Sequence, residues 1–247
     1  MKLKKKLSIY FKKQIYLAGY QIKKANNFIF LDSLLYKLIS IKGHINFIQI
    51  VGNDGINDYH LHNFILWNNN RVSGLILEPV KDYYKELEKT YSKFPFITTL
   101  NLAIHNYNNE MIINKVKSES LNLLPKSTKG IASFYKNHHL NCKVSSEHII
   151  EEKVKCITLK KLLLNENIST IDLLQIDTEG YDADIILNID FDHFKPSIIN
   201  FEYYVPNTMS KDTLNNIIEL LHKHGYEIWT EINDITAYQR DLFIKID

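Results

Sequence analysis

From residue 43 onward, short apolar runs suited to buried strands alternate with segments of helical periodicity. This order is typical of a parallel sheet covered by helices. Strands are predicted at 46–51, 74–77, 96–104, 155–159, 171–176 and 197–203, with helices at 59–69, 81–91, 160–166, 181–188 and 212–224. Between residues 104 and 155 this alternation of strands and helices is interrupted. The segment 111–116 fits a strand, and 126–140 is predicted to be a polar, flexible loop. The alternation predicts an α/β fold.

The chain ends differently from a purely parallel sheet. Two final strands are predicted at 226–231 and 235–240, separated by Asn233 and Asp234, which favour a tight turn. Parallel dinucleotide-binding sheets continue in strand–helix units, whereas a terminal antiparallel hairpin resembles the seven-stranded, mostly parallel sheet of Rossmann-like class I methyltransferases. The ending therefore favours a methyltransferase over a dehydrogenase.

Composition excludes several classes of protein. A chain of 247 residues with 45% apolar and 23% charged residues fits one soluble globular domain. It has no apolar run of about eighteen residues, as a membrane span needs, and its basic start lacks the apolar stretch of a secretory signal. Cys142, Cys156 and the dispersed histidines do not form a disulfide framework or a metal-binding cluster. We expect a cytoplasmic protein without a histidine- or cysteine-based metal site.

Positive charge is concentrated at the N-terminus. Residues 1–42 contain ten Lys and a single acid, Asp32, which gives a local charge of +9 in a chain of net charge +2. We predict a basic helical N-terminal extension at 1–42, followed by a catalytic domain at 43–247. The favoured interpretation is a solvated helix face. The alternative is an amphipathic helix, with apolar residues spaced along 3–17, that makes peripheral contact with anionic lipid or a polyanionic carrier.

The first candidate binding element is the loop that follows the strand at 47–51. It carries Gly52 and Gly55, and glycine permits the positive φ values and close backbone approach that a bound cofactor requires. By themselves two glycines are equally consistent with an ordinary strand-to-helix turn. The next strand ends at Glu78, where doubly wound sheets place an acid that accepts hydrogen bonds from ribose hydroxyls. The two elements in this order predict a nucleotide-like cofactor.

The second group of candidates is acidic. A strand ends at Asp177 and Glu179, and the following strand ends at Glu202. Ligands of open α/β sheets bind outside the carboxyl ends of the strands, so these carboxylates are expected to face the same crevice as Gly52.

With these motifs in order, the chain resembles the FkbM-type methyltransferases over roughly residues 43–240. The resemblance implies S-adenosylmethionine as cofactor and O-methylation, commonly of a sugar or other secondary hydroxyl. By position, it implies that Gly52, Asn53 and Gly55 hold the methionine part and that Glu78, followed by Pro79, holds the ribose. Asn101 and Ala103 are implied near adenine. The matching segments are 47–55, 77–79, 101–104, 132–134, 156–159, 171–190 and 199–202.

Two residues of the first motif depart from that pattern. Gln49 stands where such strands often carry Asp, and Asp54 stands where many relatives of the fold have a smaller residue. Both lie at the amino-acid end of the predicted cofactor site.

The chemistry of methyl transfer suggests roles for the acids. Transfer from a sulfonium centre is an in-line displacement, and a hydroxyl acceptor loses a proton as it attacks. We predict Asp177 as the base, with Glu179 as second choice. The alternatives are that Asp177 and Glu179 cap the following helix, or that Asp177 and Glu202 hold a divalent cation.

The sequence therefore predicts a SAM-dependent O-methyltransferase acting on a hydroxyl of a carbohydrate, glycolipid or related metabolite. The segment 118–147 is predicted to help form the acceptor pocket. The rival functions are an NAD-dependent oxidoreductase, which uses a similar glycine loop, and a non-catalytic SAM-binding protein. Nucleic acid is not an expected partner, because the basic residues lie away from the predicted cleft.

Overall fold

A computed structural model describes residues 30–56, 59–203 and 209–243. Its strands, in chain order, are β1 Ile45–Ile50, β2 Val72–Leu77, β3 Ile97–Leu100, β4 Ala103–Ile104, β5 Glu110–Val116, β6 Ile149–Ile157, β7 Leu173–Ile176, β8 Ile198–Glu202, β9 Tyr226–Thr230 and β10 Asp234–Gln239. Seven of them form one sheet in the order β3-β2-β1-β7-β8-β10-β9. All neighbours pair in parallel except that β10 runs antiparallel to both β8 and β9. The predicted α/β fold with a terminal antiparallel hairpin is confirmed.

Helices cover both faces of this sheet. The helices are α1 Phe30–Lys42, α2 Tyr59–Trp67, α3 Lys81–Tyr91, α4 His138–Asn141, α5 Leu159–Asn165, α6 Asp182–Leu187 and α7 Lys211–Lys223, and of these α4 lies in the segment between β5 and β6. Because side chains alternate along a strand, Phe47 packs with α1, α2 and α3 while Ile48 packs with α5, α6 and α7. Every residue of β7 is buried, as expected for a central strand covered on both faces.

Part of the predicted N-terminal extension lies in this core. In α1, Leu35 and Leu38 are 1% exposed and pack with Ile45 and Phe47 of β1. α1 is therefore part of the hydrophobic core on this face of the sheet. The apolar stripe predicted along 3–17 lies outside the described residues.

The predicted strand at 96–104 is two strands in two sheets. β3 joins the main sheet, and β4 pairs with β6 in a smaller sheet of order β4-β6-β5. Between them, the Asn101 side chain donates hydrogen bonds to the backbone carbonyls of Glu78 and Pro79, at 2.8 and 3.0 Å. These bonds fix the break in the strand at the end of β2.

The region between the two halves is more ordered than its composition suggests. β6 begins at Ile149 rather than near residue 155, and its first seven residues, 149–155, pair with β5. The prediction of a flexible polar loop at 126–140 is wrong: a 3₁₀ turn at Lys126–Gly130 and helix α4 form there, and Thr128, Ser133 and His138 are buried. The hydroxyls of Thr128 and Ser133 and Nε2 of His138 form specific hydrogen bonds instead of facing solvent.

Candidate functional site

A crevice of about 520 Å³ opens where the carboxyl ends of β1 and β7 meet. This is the position at which open α/β sheets bind ligands. Residues from the loop after β1, from the end of β7, from β8 and β10 and from the 126–130 turn surround it. The lining residues are Gln49, Val51, Gly52, Asn53, His60, Lys126, Ser127, Gly130, Gln175, Ile176, Asp177, Glu179, Asn200 and Asp234.

The loop after β1 follows a tight and strained path. Gly55 has a φ of 77°, and the non-glycine residues Val51 and Asn53 also have positive φ values of 67° and 49°. A β-carbon on Gly52 would lie 2.2 Å from Cγ2 of Ile76, so the backbone approaches β2 as closely as a side-chain-free residue permits. The glycines are therefore required by this loop, as the sequence motif predicts.

Glu78 lies beneath the loop rather than on the open wall of the crevice. It is 1% exposed, and its two carboxylate oxygens each accept a backbone N–H at 2.8 Å, from Asn53 and from Val80. Burial raises the pKa of Glu78 to about 8, although the two backbone donors act in the opposite direction. The residue predicted to bind ribose thus holds the cofactor loop in this structure.

The other residues predicted on the cofactor side divide into two groups. Gln49, Gly52 and Asn53 line the crevice, and Asp54 and Gly55 continue the same loop. Pro79, Asn101 and Ala103 are not among the lining residues. Ala103 is buried with Val80 in the packing between α3 and the smaller sheet.

The predicted acids are brought together. Oxygens of Asp177, Glu179 and Glu202 all lie within 4.8 Å of one another, with Asp177 exposed and the other two half-buried. Burial raises the pKa of Glu202 to about 8, and the nearby charges of Glu179, Asp182 and Asp234 add to the shift. Glu202 therefore retains its proton at neutral pH, so it enters the site as a proton donor rather than as a base.

Asp182 organises this acidic rim, a role that the sequence reasoning missed. It has no exposed surface, and it accepts hydrogen bonds from the backbone N–H and the hydroxyl of Thr178 and, at 3.2 Å, from the backbone N–H of Glu202. One carboxylate thus connects the ends of β7 and β8. An acid at the start of α6 was visible in the sequence, but its partners were not.

Glu179 is held from the middle segment. Its φ is 53°, its carbonyl oxygen accepts the hydroxyl of Ser133 at 2.8 Å, and its Oε2 lies 2.9 Å from Nε2 of His138. His138 is 3% exposed. Sequence reasoning missed this contact as well, because a histidine 41 residues away gives no local signal.

A family model described as the FkbM methyltransferase domain matches residues 49–228. The chain belongs to the FkbM methyltransferase family. The match begins at Gln49 and contains the glycine loop, Glu78 and the whole acidic rim. S-adenosylmethionine is therefore the methyl donor, as predicted, rather than a dinucleotide. The strained loop, whose residues Gly52 and Asn53 line the crevice, fits a role in receiving such a cofactor.

Solved structures similar to this FkbM-family chain share little sequence with it. A methyltransferase FkbM from Methylobacillus flagellatus KT is 11% identical, with a TM-score of 0.47 over 79% of this chain and 43% of that chain. A precorrin-6y C5,15-methyltransferase from Geobacter metallireducens GS-15 is 14% identical, with a TM-score of 0.40 over 88% of this chain and 93% of that one. Among proteins of curated function, none matches the sequence.

The helices of the described FkbM-family domain were also compared with the dimensions of a bilayer. None of those within residues 30–56, 59–203 and 209–243 combines the length and apolar character that crossing a membrane requires.

Proposed function

We propose that this methyltransferase transfers the methyl group to a hydroxyl of a carbohydrate, glycolipid or related metabolite. The observation that carries the proposal is the acidic rim of Asp177, Glu179 and Glu202 at the crevice that the glycine loop also lines. A hydroxyl acceptor needs a group that takes its proton, and a polyhydroxylated acceptor needs several oxygens that accept hydrogen bonds. The rim supplies both.

Bound S-adenosylmethionine supplies an electrophilic methyl group, and the chain's own residues handle the acceptor. Asp177 is the proposed base, because it is exposed and its carboxylate lies in the crevice. Such proton acceptance typically contributes about 10²–10⁴-fold to rate. Glu179, oriented by His138, is the second candidate. Glu202 keeps its proton at neutral pH and is proposed to donate a hydrogen bond to the acceptor or to a neighbouring carboxylate.

The middle segment is proposed to form part of the acceptor pocket. Lys126, Ser127 and Gly130 line the same crevice as Asp177 and Glu179, which supports this proposal for the segment 118–147. Nucleic acid is a poor candidate for the acceptor, because Asp177, Glu179 and Asp234 on the crevice wall repel phosphates. A composition typical of soluble proteins supports a cytoplasmic location, and peripheral contact through residues 1–42 stays a prediction.

The test is transfer of a labelled methyl group from S-adenosylmethionine to carbohydrate and glycolipid fractions by the purified full chain. We expect label in a base-stable methyl ether, and we expect Asp177→Asn to lose transfer while its affinity for S-adenosylhomocysteine stays within about threefold of wild type. Asp192→Asn, an exposed aspartate that does not line the crevice, is the matched control and should transfer normally.

Two results would contradict the proposal. One is saturable binding of S-adenosylhomocysteine with no label in any hydroxyl-bearing fraction, which would favour a binding protein. The other is normal transfer by Asp177→Asn, which would remove Asp177 from the role of base. Mass spectrometry of surface glycans from cells with and without the gene would then locate the acceptor by a methyl-sized difference.

A further inference from the structure

Lys129 lies in the segment 118–147, which is proposed to help form the acceptor pocket, and it reaches back to the cofactor loop. Its ammonium lies 2.9 Å from Oδ2 of Asp54 and 2.5 Å from Oε2 of Glu86 on α3. Its backbone carbonyl accepts a hydrogen bond from the side-chain amide of Asn53 at 3.3 Å. One residue of the middle segment therefore contacts two successive residues of the loop, through two different groups.

The strained backbone of the loop must be held in place by contacts with its surroundings. Val51 and Asn53 both have positive φ, and each non-glycine residue in that region costs about 1–3 kcal/mol, so the conformation persists only where its surroundings impose it. On the β2–α3 side, Glu78 accepts the backbone N–H of Asn53, and the Thr90 hydroxyl donates to the Asp54 carbonyl at 2.8 Å. Lys129 supplies the contacts from the middle segment.

The same segment also holds the opposite side of the crevice. Ser133 and His138 bond the carbonyl and the carboxylate of Glu179, as described above. The stretch from Lys129 to His138 therefore connects the loop that receives the cofactor with an acid proposed to act on the acceptor.

We propose that Lys129 is a positioning residue that sets the affinity for S-adenosylmethionine by holding Asn53 and Asp54 in the cofactor-binding conformation. This role also explains Asp54, which departs from the family pattern: the carboxylate is the loop's anchor for Lys129. The inference rests on the donor that the family implies and is independent of the acceptor's identity.

Two further features keep this ammonium charged and in place. Burial by itself would lower the pKa of Lys129, but the hydrogen bonds with Glu86 and Asp54 outweigh that effect and raise it. The ammonium also lies 5.4 Å from the centre of the Tyr83 ring, where a cation is attracted by the aromatic face.

Lys115 provides a matched control. Its ammonium lies 5.7 Å from the centre of the same Tyr83 ring, and it pairs with Asp82 at 3.2 Å and with Glu152 at 2.7 Å. Its side chain is more buried than that of Lys129, at 3% against 17% exposed. Within the part of the chain that the structure describes, its hydrogen bonds and ion pairs are with Asp82 and Glu152 and not with the loop. Removing it should therefore destabilise the fold at least as much without disturbing the cofactor site.

The experiment is calorimetric titration of S-adenosylhomocysteine into the full chain and its variants, with each variant's thermal unfolding measured alongside. We expect Lys129→Met to raise Kd at least tenfold, the loss expected when a hydrogen bond to a charged group is removed. Lys115→Met should leave Kd within twofold despite an equal or larger loss of thermal stability. Lys129→Arg should recover most of the affinity, because it restores the charge beside Asp54.

A second variant covers the case in which Lys129→Met does not fold. Asp54→Asn keeps the shape of the side chain and weakens its pairing with Lys129, so it should raise Kd several-fold. Combined with Lys129→Arg, it should remove the benefit of the arginine.

The inference is overturned if Lys129→Met and Asp54→Asn both bind within twofold of wild type, or if Lys115→Met loses as much affinity as Lys129→Met. A wild-type chain that shows no saturable binding overturns the donor assignment itself, and this inference with it. Binding without methyl transfer to hydroxyls contradicts the proposed function but leaves the role of Lys129 standing.

Discussion

Replacing Asp182 with Asn tests whether one buried carboxylate organises the acidic rim. The side chain has no exposed surface, and its two oxygens accept hydrogen bonds that include two from Thr178 and one from the backbone N–H of Glu202, with the backbone N–H of Gly180 also bonded to the carboxylate. Asparagine offers one carbonyl oxygen. In its best orientation the carbonyl keeps the two Thr178 donors and the amide NH₂ faces the N–H of Glu202, so donors oppose each other across the end of β8.

The expected loss of stability in Asp182→Asn follows from counting the hydrogen-bonding groups that the substitution leaves unsatisfied. A buried donor left without an acceptor costs about 1–3 kcal/mol, and the facing NH₂ group adds a similar penalty. Burial raises the pKa of Asp182, which means that the charged side chain itself carries a desolvation cost that the neutral amide avoids. The balance gives a net loss of about 2 kcal/mol, or a fall of about 4–8 °C in Tm for a chain of this size.

The functional consequence is specific to the acceptor side. Thr178 lies between Asp177 and Glu179, so loosening its bonds displaces the proposed base, and misplacement of this kind can cost about 10²-fold in rate. The loop after β1 is not bonded by Asp182, so the affinity for S-adenosylhomocysteine should stay within threefold. Urea unfolding, calorimetry and a methyl-transfer assay measure the three quantities separately.

Asp184→Asn is the matched control, because Asp184 occupies the same first turn of α6 but is only half-buried. Its replacement should change stability by less than about 0.5 kcal/mol. Unfolding of Asp182→Asn within 0.5 kcal/mol of wild type would refute the accounting above. Equal losses in both variants would show that charge at the helix N-terminus, rather than the bonds to Thr178 and Glu202, is responsible.

Three other predictions concern the loop after β1 and the two carboxyl groups whose pKa is raised, those of Glu78 and Glu202. Gly52→Ala should lose about 1–3 kcal/mol of stability and bind S-adenosylhomocysteine more weakly, because its β-carbon would meet Ile76. Gly74→Ala is the control: its β-carbon clashes with β1 away from the crevice, so it should lose stability alone. Equal affinities of the two variants in calorimetry would contradict this prediction. Glu78 and Glu202 keep protons in the folded chain up to about pH 8 but release them near pH 4.5 when unfolded, so stability should fall as pH rises through that window, by up to about 1.4 kcal/mol per pH unit for buried Glu78. Urea unfolding at pH 5.5, 7 and 8.5 that shows constant or rising stability would oppose it. Glu202→Gln, which mimics the protonated acid, should retain transfer at pH 7 and flatten part of this slope; complete loss of transfer would instead identify Glu202 as a base.

The sequence was sufficient to predict the sheet and the approximate positions of the glycine loop and of the acidic residues at the sheet's carboxyl edge. Central parallel strands are buried on both faces, so they form continuous apolar runs, and the residue at which such a run ends in an acid marks the carboxyl edge of the sheet. Glu78 and Asp177 stand at such positions, after β2 and β7. Because the carboxyl ends of parallel strands share one edge, these residues were expected near Gly52 without knowledge of any contact.

Strands outside the main sheet were harder to predict. β6 has four charged residues among its nine and is partly exposed, and it pairs with β5 across a long middle segment. Its charged residues resemble those of a loop, so only its apolar end was predicted. β4 has two residues and is distinguished from β3 by the side-chain bonds of Asn101, which periodicity does not register.

The largest error, a flexible loop at 126–140, has the same physical origin as the failure to predict the site contacts of Lys129 and His138. Polar residues are abundant in loops because they face water, but they are also abundant wherever a chain lies against a buried polar site. Lys129 and His138 satisfy charged and polar groups of Asp54 and Glu179, from which they are separated by 75 and 41 residues. A solvated loop and a segment that lies against a buried polar site have the same composition. They are distinguished only by whether acidic side chains lie beside the segment in the fold. In a chain whose strands end in several carboxylates, a polar segment that contains Lys and His is therefore better interpreted as a partner of those carboxylates than as a solvated loop, and the affinity of Lys129→Met for S-adenosylhomocysteine tests that interpretation for this fold.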